Sequence, residues 1–426
     1  MAQGQSDWRA WEPGLAEVVK RHPKVSPFVI LKTDVQRRGA VLTERARRAI
    51  RPEKDSTLYR GINLESNADI PWGFLLRDGT SVLCTIEAED PDRFERTREP
   101  YTIDYVDGKH VLADEGKALE AITWIPTPAY TWKKTRKGTP MWQVLIARPQ
   151  RMDINLYQTC DFWKDGGMGC RFCVAGATMK ATKHDKAEIP DLDDIEDAVR
   201  EALKQPGRYR SVFLCSGTIL TGAEPQDDEV NLYIEMLQRV GKYFTERKVM
   251  SQIVATAFTE KQLRRLHDET MLCGYTADLE VLDEELFSWI CPGKAKHIGY
   301  REWRERLYRA ADIFGPGRVS SGVVSGVEMA QPHGFSDEDE ALRVYLAEAE
   351  NLARHGVSIS QQIFHVEPGS VFFRQRTATL EYLTAFAEGL DALSRKYGLT
   401  CHCDDYLTCG NHPNTDMARA WQGGGR

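Results

Sequence analysis

The chain has 426 residues, of which 42% are hydrophobic and 28% charged, and its formal net charge is −7. This length and composition predict a globular protein of roughly two or three units and exclude a disordered or fibrous chain. The acidic balance argues against a broad nucleic-acid-binding face, and no apolar run reaches the roughly 20 residues that span a bilayer. Because the first residues also lack the order of a secretory signal, we expect a cytoplasmic protein with no nucleic-acid or membrane partner.

Residues 1–148 contain two hairpin signals. Asp78-Gly79 and Asp107-Gly108 each separate two apolar stretches, and Asp-Gly favours the tight turn between antiparallel strands. We therefore predict a small N-terminal α+β domain of unknown role. Three aromatic residues near its end are interpreted as packing, since a base-stacking platform does not suit the acidic background: Trp124, Tyr130 and Trp132.

From about residue 149 the pattern changes to strands that alternate with helices. The strand-like runs are residues 154–157, 211–215, 252–256, 275–281, 319–327 and 358–366. Strands separated by helices pair in parallel, so residues 149–375 are predicted to form an α/β fold, a full or partial β/α barrel. Residues 376–426 are predicted to form a last helix and a cysteine-rich tail.

Ten cysteines are more than packing requires in a reducing compartment, which indicates metal binding or catalysis. Cys160, Cys170 and Cys173 lie on one loop that follows the first strand-like run, where β/α barrels carry their chemistry. Three glycines allow the loop to fold back so that its thiols meet: Gly166, Gly167 and Gly169. Three thiolates suit a soft metal or an iron–sulfur cluster, and they leave one iron of a four-iron cluster open.

Other interpretations of this loop remain open at this point. A structural zinc site needs a fourth ligand, such as His184 or a distant cysteine. Cys170 and Cys173 have the spacing of a thioredoxin-like redox pair, although no thioredoxin-like βαβ context surrounds them. The thiols can also be buried residues without function.

The spacing Cys160-x9-Cys170-x2-Cys173, with Phe172 before the last cysteine, resembles a variant of the cluster loop of the radical S-adenosylmethionine (SAM) superfamily. The resemblance implies a 4Fe-4S cluster whose open iron binds the amino and carboxylate groups of SAM. It further implies reductive cleavage of SAM to a 5′-deoxyadenosyl radical, with the backbone at Phe172 against the adenine.

Later motifs resemble, in order, the barrel of the group that includes biotin synthase, lipoyl synthase, the hydrogenase maturases and the aromatic amino acid lyases. The triplet Ser216, Gly217 and Thr218 stands where the superfamily binds the amino group of SAM, although the usual Gly-Gly-Glu is absent. Asp278 and Glu280 resemble ribose and methionyl contacts. The resemblance places the remaining SAM contacts on late strands and turns: Ser321, Gly322, Val324 and Glu367.

Two cysteine positions separate the chain from biotin synthase itself, which binds a second, sulfur-donating cluster. Cys215 lies where one ligand of that cluster would be, but Val254 and Ser320 take the other two places. Cys215 is therefore interpreted as a strand residue. A second group, Cys401, Cys403 and Cys409, predicts an auxiliary cluster or a zinc ion, with a metal-free tail as the alternative.

The leading functional hypothesis is a radical SAM enzyme that abstracts hydrogen from a small-molecule biosynthetic substrate. The resemblance implies an electron donor such as flavodoxin or ferredoxin. A cluster-dependent methyl or aminocarboxypropyl transferase and a non-catalytic zinc- or cluster-stabilised scaffold are the alternatives. The sequence assigns no catalytic residue beyond the cofactor contacts.

Overall fold

Two seven-stranded sheets organise the protein. The computed structural model describes residues 12–55, 70–88, 98–177, 188–209, 211–243, 250–367, 369–399 and 410–422. No helix within these ranges is both long enough and apolar enough to cross a membrane.

The first sheet contains strands β1 (Ala40–Leu42), β2 (Gly73–Leu75), β3 (Ser81–Leu83), β4 (Ile86–Ala88), β5 (Tyr101–Val106), β6 (Lys109–Asp114) and β7 (Lys117–Trp124). Their spatial order is β3-β2-β7-β6-β5-β1-β4. Both predicted hairpins are confirmed, since β2 pairs antiparallel with β3 and β5 with β6. Asp107 and Gly108 have φ angles of 49° and 78°, as a two-residue type I′ turn requires. The expectation of antiparallel strands is wrong for β1, which runs parallel to both β4 and β5.

Three helices accompany this sheet: α1 (Leu15–Arg21), α2 (Pro27–Arg38) and α3 (Glu44–Arg48). The start of α2 follows from its sequence, because Ser26 caps the amide of Phe28 and Pro27 occupies the first turn. Trp124 and Tyr130 are buried as predicted. Trp132 is 61% exposed, so its interpretation as a packing residue is wrong.

The second sheet contains strands β8 (Ile146–Ala147), β9 (Arg151–Tyr157), β10 (Ser211–Ser216), β11 (Met250–Val254), β12 (Gly274–Thr276), β13 (Val319–Ser325) and β14 (Val357–Ile363). Strands β9 to β14 lie side by side in chain order, and each pairs in parallel with the next. The short strand β8 adds an antiparallel edge. This open, curled sheet confirms the predicted β/α fold in its partial form.

Helices connect the parallel strands or follow the last one: α4 (Asp161–Lys164), α5 (Leu192–Ala202), α6 (Asp227–Gly241), α7 (Glu260–Glu269), α8 (Glu284–Ile290), α9 (Pro292–His297), α10 (Tyr300–Phe314), α11 (Glu338–Arg354), α12 (Leu380–Lys396) and α13 (Pro413–Gln422). Local signals set several of their ends. Thr259 and Gln262 form a reciprocal capping box at the start of α7. Asp337 caps α11, whose first turn is acidic. Every residue of β13 is buried, as expected for a strand covered on both faces.

Helix α2 links the two ends of the chain, because it contacts β3 of the first sheet as well as α12, α13 and β14. Ten of its 12 residues are buried. Lys32 forms an ion pair with the buried Asp416 of α13, and Arg37 forms one with the buried Glu12. Because this helix packs on both parts of the protein, the domain division at residues 148 and 375 stays a prediction.

Candidate active site

The three clustered cysteines lie at the carboxyl edge of the second sheet. Cys160 follows β9 and precedes α4, while Cys170 and Cys173 lie on the loop that returns to the sheet. The charge of Cys170 raises the pKa of both Cys160 and Cys173, and the charge of Cys160 also raises that of Cys173. Burial raises the pKa of Cys160 to about 11 and that of Cys173 to about 12, so a metal would have to displace their protons.

One aromatic ring explains how the loop folds back. A Cβ at Gly169 would lie 2.0 Å from the Trp163 ring, and a Cβ at Gly176 would lie 2.7 Å from it. Gly166 and Gly167 have φ angles of 65° and 74°, which suit glycine. The predicted glycine requirement is therefore confirmed, and close packing around Trp163 supplies a further reason for it.

The end of β10 packs directly on the backbone before Cys160. A Cβ at Gly217 would lie 1.6 Å from the carbonyl oxygen of Thr159, so only glycine fits there. The Gly217 amide donates to the Tyr157 carbonyl at 3.1 Å, and the Asp161 amide donates to the Thr218 carbonyl at 2.9 Å. The predicted triplet 216–218 thus lies beside the first cysteine.

A fully buried carboxylate, which the sequence did not reveal, ties the ends of β10 and β11 together. Glu229 of α6 accepts hydrogen bonds from the amides of Ile219 and Thr256, both at 3.0 Å. The Thr256 hydroxyl donates to it at 2.9 Å and lies 2.8 Å from the Thr218 hydroxyl. Burial raises the pKa of Glu229 to about 7. Glu229 therefore supports the loop that carries Thr218.

The donor set fits an iron–sulfur cluster better than a single ion. In the described ranges no three His, Cys, Asp or Glu side chains converge closely enough to hold one metal ion. A single zinc ion needs each sulfur about 2.3 Å from one centre. A four-iron cluster binds each cysteine through a different iron, so its thiols stand further apart. Cys160, Cys170 and Cys173 on one loop supply thiols, the ligands that such a cluster takes.

Asp278 and Glu280 follow β12 and lie against β13. The Gly322 amide donates to Oδ1 of Asp278 at 2.6 Å, and a Cβ at Gly322 would lie 2.6 Å from the same oxygen. Glu280 has a φ of 69°, and its backbone pairs with Val323. This strained conformation, rare for a non-glycine residue, holds the two carboxylates at the mouth of the sheet.

Lys294 of α9 forms an ion pair with one of these carboxylates. Its Nζ donates to Oε1 of Glu280 at 2.8 Å and to the backbone carbonyl of Asp278 at 2.5 Å. Burial raises the pKa of Glu280 to about 7, although Lys294 opposes that shift. The charge of Lys294 lowers the pKa of the Cys170 thiol, and the charge of Glu280 raises it. Lys294 is not among the site residues predicted from the sequence.

The other predicted SAM contacts lie in and beyond β13. Ser321 is fully buried, and its hydroxyl accepts from the Leu279 amide at 2.8 Å, so its side chain supports the sheet. The Val324 amide donates to the Glu280 carbonyl at 2.9 Å. Glu367 accepts from His365 at 2.7 Å, and this contact outweighs burial and lowers its pKa.

The turn after β14 approaches the cysteine loop, which carries Phe172. A Cβ at Gly369 would lie 2.8 Å from Cβ of Ala177, and the Phe372 amide donates to the Arg171 carbonyl at 3.2 Å. Phe172 packs partly buried against the main core. Glu367 thus lies on a segment that borders the loop that carries Phe172.

Several predicted residues fall elsewhere. Cys401, Cys403 and Cys409, like His184, lie outside the described residues. Cys215 pairs with Val254 across β10 and β11, and burial raises its pKa to about 12, which agrees with its interpretation as a strand residue.

Comparisons with known proteins extend over most of the chain. The bacteriochlorophyllide c C-7(1)-hydroxylase of Chlorobaculum limnaeum is 22% identical over 382 residues, which cover 87% of this chain and 86% of that protein. No family model matches the sequence.

Solved structures show weaker likenesses. A radical SAM methyltransferase from Sphaerobacter thermophilus aligns with 94% of this chain and 97% of its own at 13% identity, with a TM-score of 0.40. Methylornithine synthase aligns with 59% of this chain and 70% of its own at 12% identity and a TM-score of 0.38. The cobalamin-dependent SAM radical enzyme OxsB aligns with 63% of this chain and 35% of its own at 12% identity and a TM-score of 0.34.

The three-cysteine loop and its place on a partial β/α barrel agree with the resemblance of the sequence to the radical SAM superfamily. The likeness to the hydroxylase of Chlorobaculum limnaeum, an enzyme, extends over most of both chains.

Proposed function

We propose that the protein binds a 4Fe-4S cluster through Cys160, Cys170 and Cys173 and uses it to cleave SAM reductively. When bound, the cluster and SAM supply a 5′-deoxyadenosyl radical, which abstracts hydrogen from a small-molecule biosynthetic substrate. The observation that carries the proposal is the position of three cysteines on one loop at the carboxyl edge of the parallel sheet. We also propose that an external one-electron donor, such as flavodoxin or ferredoxin, supplies the electron for this cleavage.

The chain's own residues would bind and orient SAM. Ser216, Gly217 and Thr218 lie beside Cys160 and are proposed to face the amino group of SAM. Asp278 and Glu280 are proposed to face the ribose and methionyl groups. Lys294 offsets one carboxylate charge, which lowers the cost of burying both beside an anionic cluster.

The remaining proposed contacts would enclose the adenine. Gly322 offers backbone without a side chain next to Asp278, so a planar ring can approach the strand closely. The backbones at Phe172, Ser321 and Val324, together with Glu367, complete the proposed adenine site. The hydroxylase relative supports a reaction at a carbon atom, since its name describes hydroxylation of bacteriochlorophyllide c.

Product analysis tests the reaction. Protein reconstituted anaerobically with iron and sulfide, then given dithionite and SAM, should form 5′-deoxyadenosine. Cys170→Ala should reduce that product at least 100-fold, whereas the control Cys273→Ala, on a loop before β12, should not change it. S-adenosylhomocysteine or methylthioadenosine as the main product would assign a transferase instead. Unreacted SAM in the wild type would leave only the scaffold role.

Cys401, Cys403 and Cys409 are proposed to bind a second cluster or a zinc ion. Iron and zinc content test this proposal, because the first site alone should bind about four irons per chain. A triple alanine variant of these cysteines should retain about four irons and lose any additional metal. An unchanged metal content in that variant would contradict the second site.

A further inference from the structure

The turn that follows β14 presents apolar side chains to solvent beside the cysteine loop. Val371 is 55% exposed and Phe373 is 38% exposed, and they are two of the seven large hydrophobic residues that are exposed in the described ranges. Phe372, which lies between them, is buried, and its amide donates to the Arg171 carbonyl at 3.2 Å. The backbone therefore holds two apolar side chains at the surface next to the cysteine loop.

Trp289 joins this turn to the cysteine loop. Its ring packs on Phe372 with the ring centroids 5.1 Å apart, and its carbonyl accepts from Nε of Arg171 at 2.7 Å. The guanidinium group of Arg171 lies 5.7 Å from the centre of the Trp289 ring. On the turn itself, the guanidinium group of Arg374 lies 4.9 Å from the centre of the Phe373 ring. These contacts place two cationic groups beside aromatic side chains of the same surface.

The local charge of this surface is opposite to the net charge of the chain. Residues 369–377 contain two arginines and no acidic residue, and residues 170–177 contain one arginine and no acidic residue, whereas the whole chain has a formal net charge of −7. Arg374 and Arg376 are exposed, and Arg171 is half-buried. Aromatic residues and arginine are enriched in protein interfaces, and opposite charges steer two partners together. The surface therefore fits a negatively charged protein.

We propose that an acidic one-electron carrier protein docks on this surface, the docking face, which is formed by Arg171, Trp289, Val371, Phe373 and Arg374. This inference rests on the proposed function, in which each cleavage of SAM needs one electron from outside the chain. The carrier loses one electron, and the cluster gains it. Because the docking face borders the loop with the proposed cluster ligands, a docked carrier lies close to the electron acceptor. Electron-transfer complexes have small interfaces, so a patch of this size is sufficient.

Two reductants, flavodoxin and dithionite, test the docking face in reconstituted protein. Phe373→Ser and Arg374→Glu should each weaken the affinity for reduced flavodoxin roughly 10-fold, measured by equilibrium binding. Both variants should also be reduced more slowly by flavodoxin, as followed by EPR. Dithionite should reduce them as it reduces the wild type, because a small ion does not need the docking face. Added salt should weaken flavodoxin binding less in Arg374→Glu than in the wild type, since screening acts on the charge that this variant removes.

Two control variants change similar side chains elsewhere on the chain. Met271→Ser removes an apolar side chain that is 55% exposed, as exposed as Val371. Arg264→Glu reverses a charge on α7, a helix that packs on α6 and α10. Both controls should bind flavodoxin like the wild type, and all five proteins should contain equal iron.

The outcomes separate the inference from the function on which it rests. Wild-type protein that binds no iron, or that dithionite does not reduce, would overturn both. Wild-type protein that dithionite reduces but that does not bind flavodoxin would overturn the docking role alone, as would equal flavodoxin affinities in all five proteins. Slower reduction of Phe373→Ser and Arg374→Glu by dithionite would place the effect at the cluster and also contradict it. Unchanged flavodoxin binding, with loss of binding to anionic phosphatidylglycerol vesicles in Phe373→Ser, would assign the surface to a membrane instead.

Discussion

Replacing Gly217 with alanine should displace Cys160 from the other two thiols. The new Cβ would lie 1.6 Å from the Thr159 carbonyl oxygen and 2.9 Å from Cα of Cys160. Both of these are backbone atoms, so no side-chain rotation can relieve the overlap. The two segments must therefore move apart.

The size of the movement follows from the contact distances. Ordinary van der Waals contact begins at 3.4 Å, so Gly217 and Thr159 must separate by roughly 1.8 Å, the difference between 3.4 and 1.6 Å. That shift breaks the hydrogen bonds from Gly217 to Tyr157 and from Asp161 to Thr218. Overpacking costs about 1–3 kcal/mol, and each lost hydrogen bond about 1 kcal/mol. We expect the free energy of unfolding to fall by about 3–5 kcal/mol.

Urea unfolding and iron content measure the two consequences. Gly217→Ala should bind less than half the iron of the wild type after reconstitution and form 5′-deoxyadenosine at least 10-fold more slowly. Gly241→Ala is the matched control, because it lies at the end of α6 with no atom within 4 Å of its added Cβ. It should leave iron unchanged and raise stability by up to about 1 kcal/mol through helix propensity.

Wild-type iron content and SAM cleavage in Gly217→Ala would refute this reasoning, since they would show that the end of β10 does not set the position of Cys160. Equal losses in Gly241→Ala would refute it as well, because the effect would then come from adding a methyl group anywhere in this unit.

Two further substitutions test the buried charges. Lys294→Met should lower the free energy of unfolding at pH 8 by about 3 kcal/mol, because it removes the cation that pairs with the buried Glu280 carboxylate. The loss of stability should be smaller at pH 5, because this pH lies below the pKa of about 7 of Glu280. Lys294→Arg should restore most of the lost stability. A loss independent of pH would contradict the pairing of Lys294 with Glu280. Arg37 and Arg38 outweigh burial and hold the pKa of Asp34 at about 2, so its stabilisation is complete above its usual value of 3.8 and disappears as pH falls through 2. Asp34→Asn should therefore remove about 2 kcal/mol of pH-dependent stability between pH 4 and 2 in acid unfolding curves, and unchanged curves would contradict it.

Features encoded in short stretches were predictable from the sequence. The two Asp-Gly hairpins need only residues that adopt positive φ, and the start of α7 needs only Thr259 and Gln262. The alternation of strands and helices, which is visible in short stretches of sequence, leads to parallel pairing of the strands. The cysteine loop is local too, and its glycines are close to the thiols that they bring together.

Contacts between distant segments were not predictable. The segment with Cys291 and Lys294 meets the cysteine loop only because α8 and α9 fold back onto it. The parallel pairing of β1 depends on a long connection that no local signal describes. Trp132 is exposed, whereas the nearby aromatic residues Trp124 and Tyr130 are buried. Tertiary packing decides each of these cases.

The EPR spectrum of the reduced, reconstituted protein, recorded before and after addition of SAM, tests most directly whether Cys160, Cys170 and Cys173 bind a cluster with an open iron. The account predicts about four irons per chain from this loop and a spectrum that changes when SAM binds. A protein without iron, or a cluster signal that is the same with and without SAM, would contradict it.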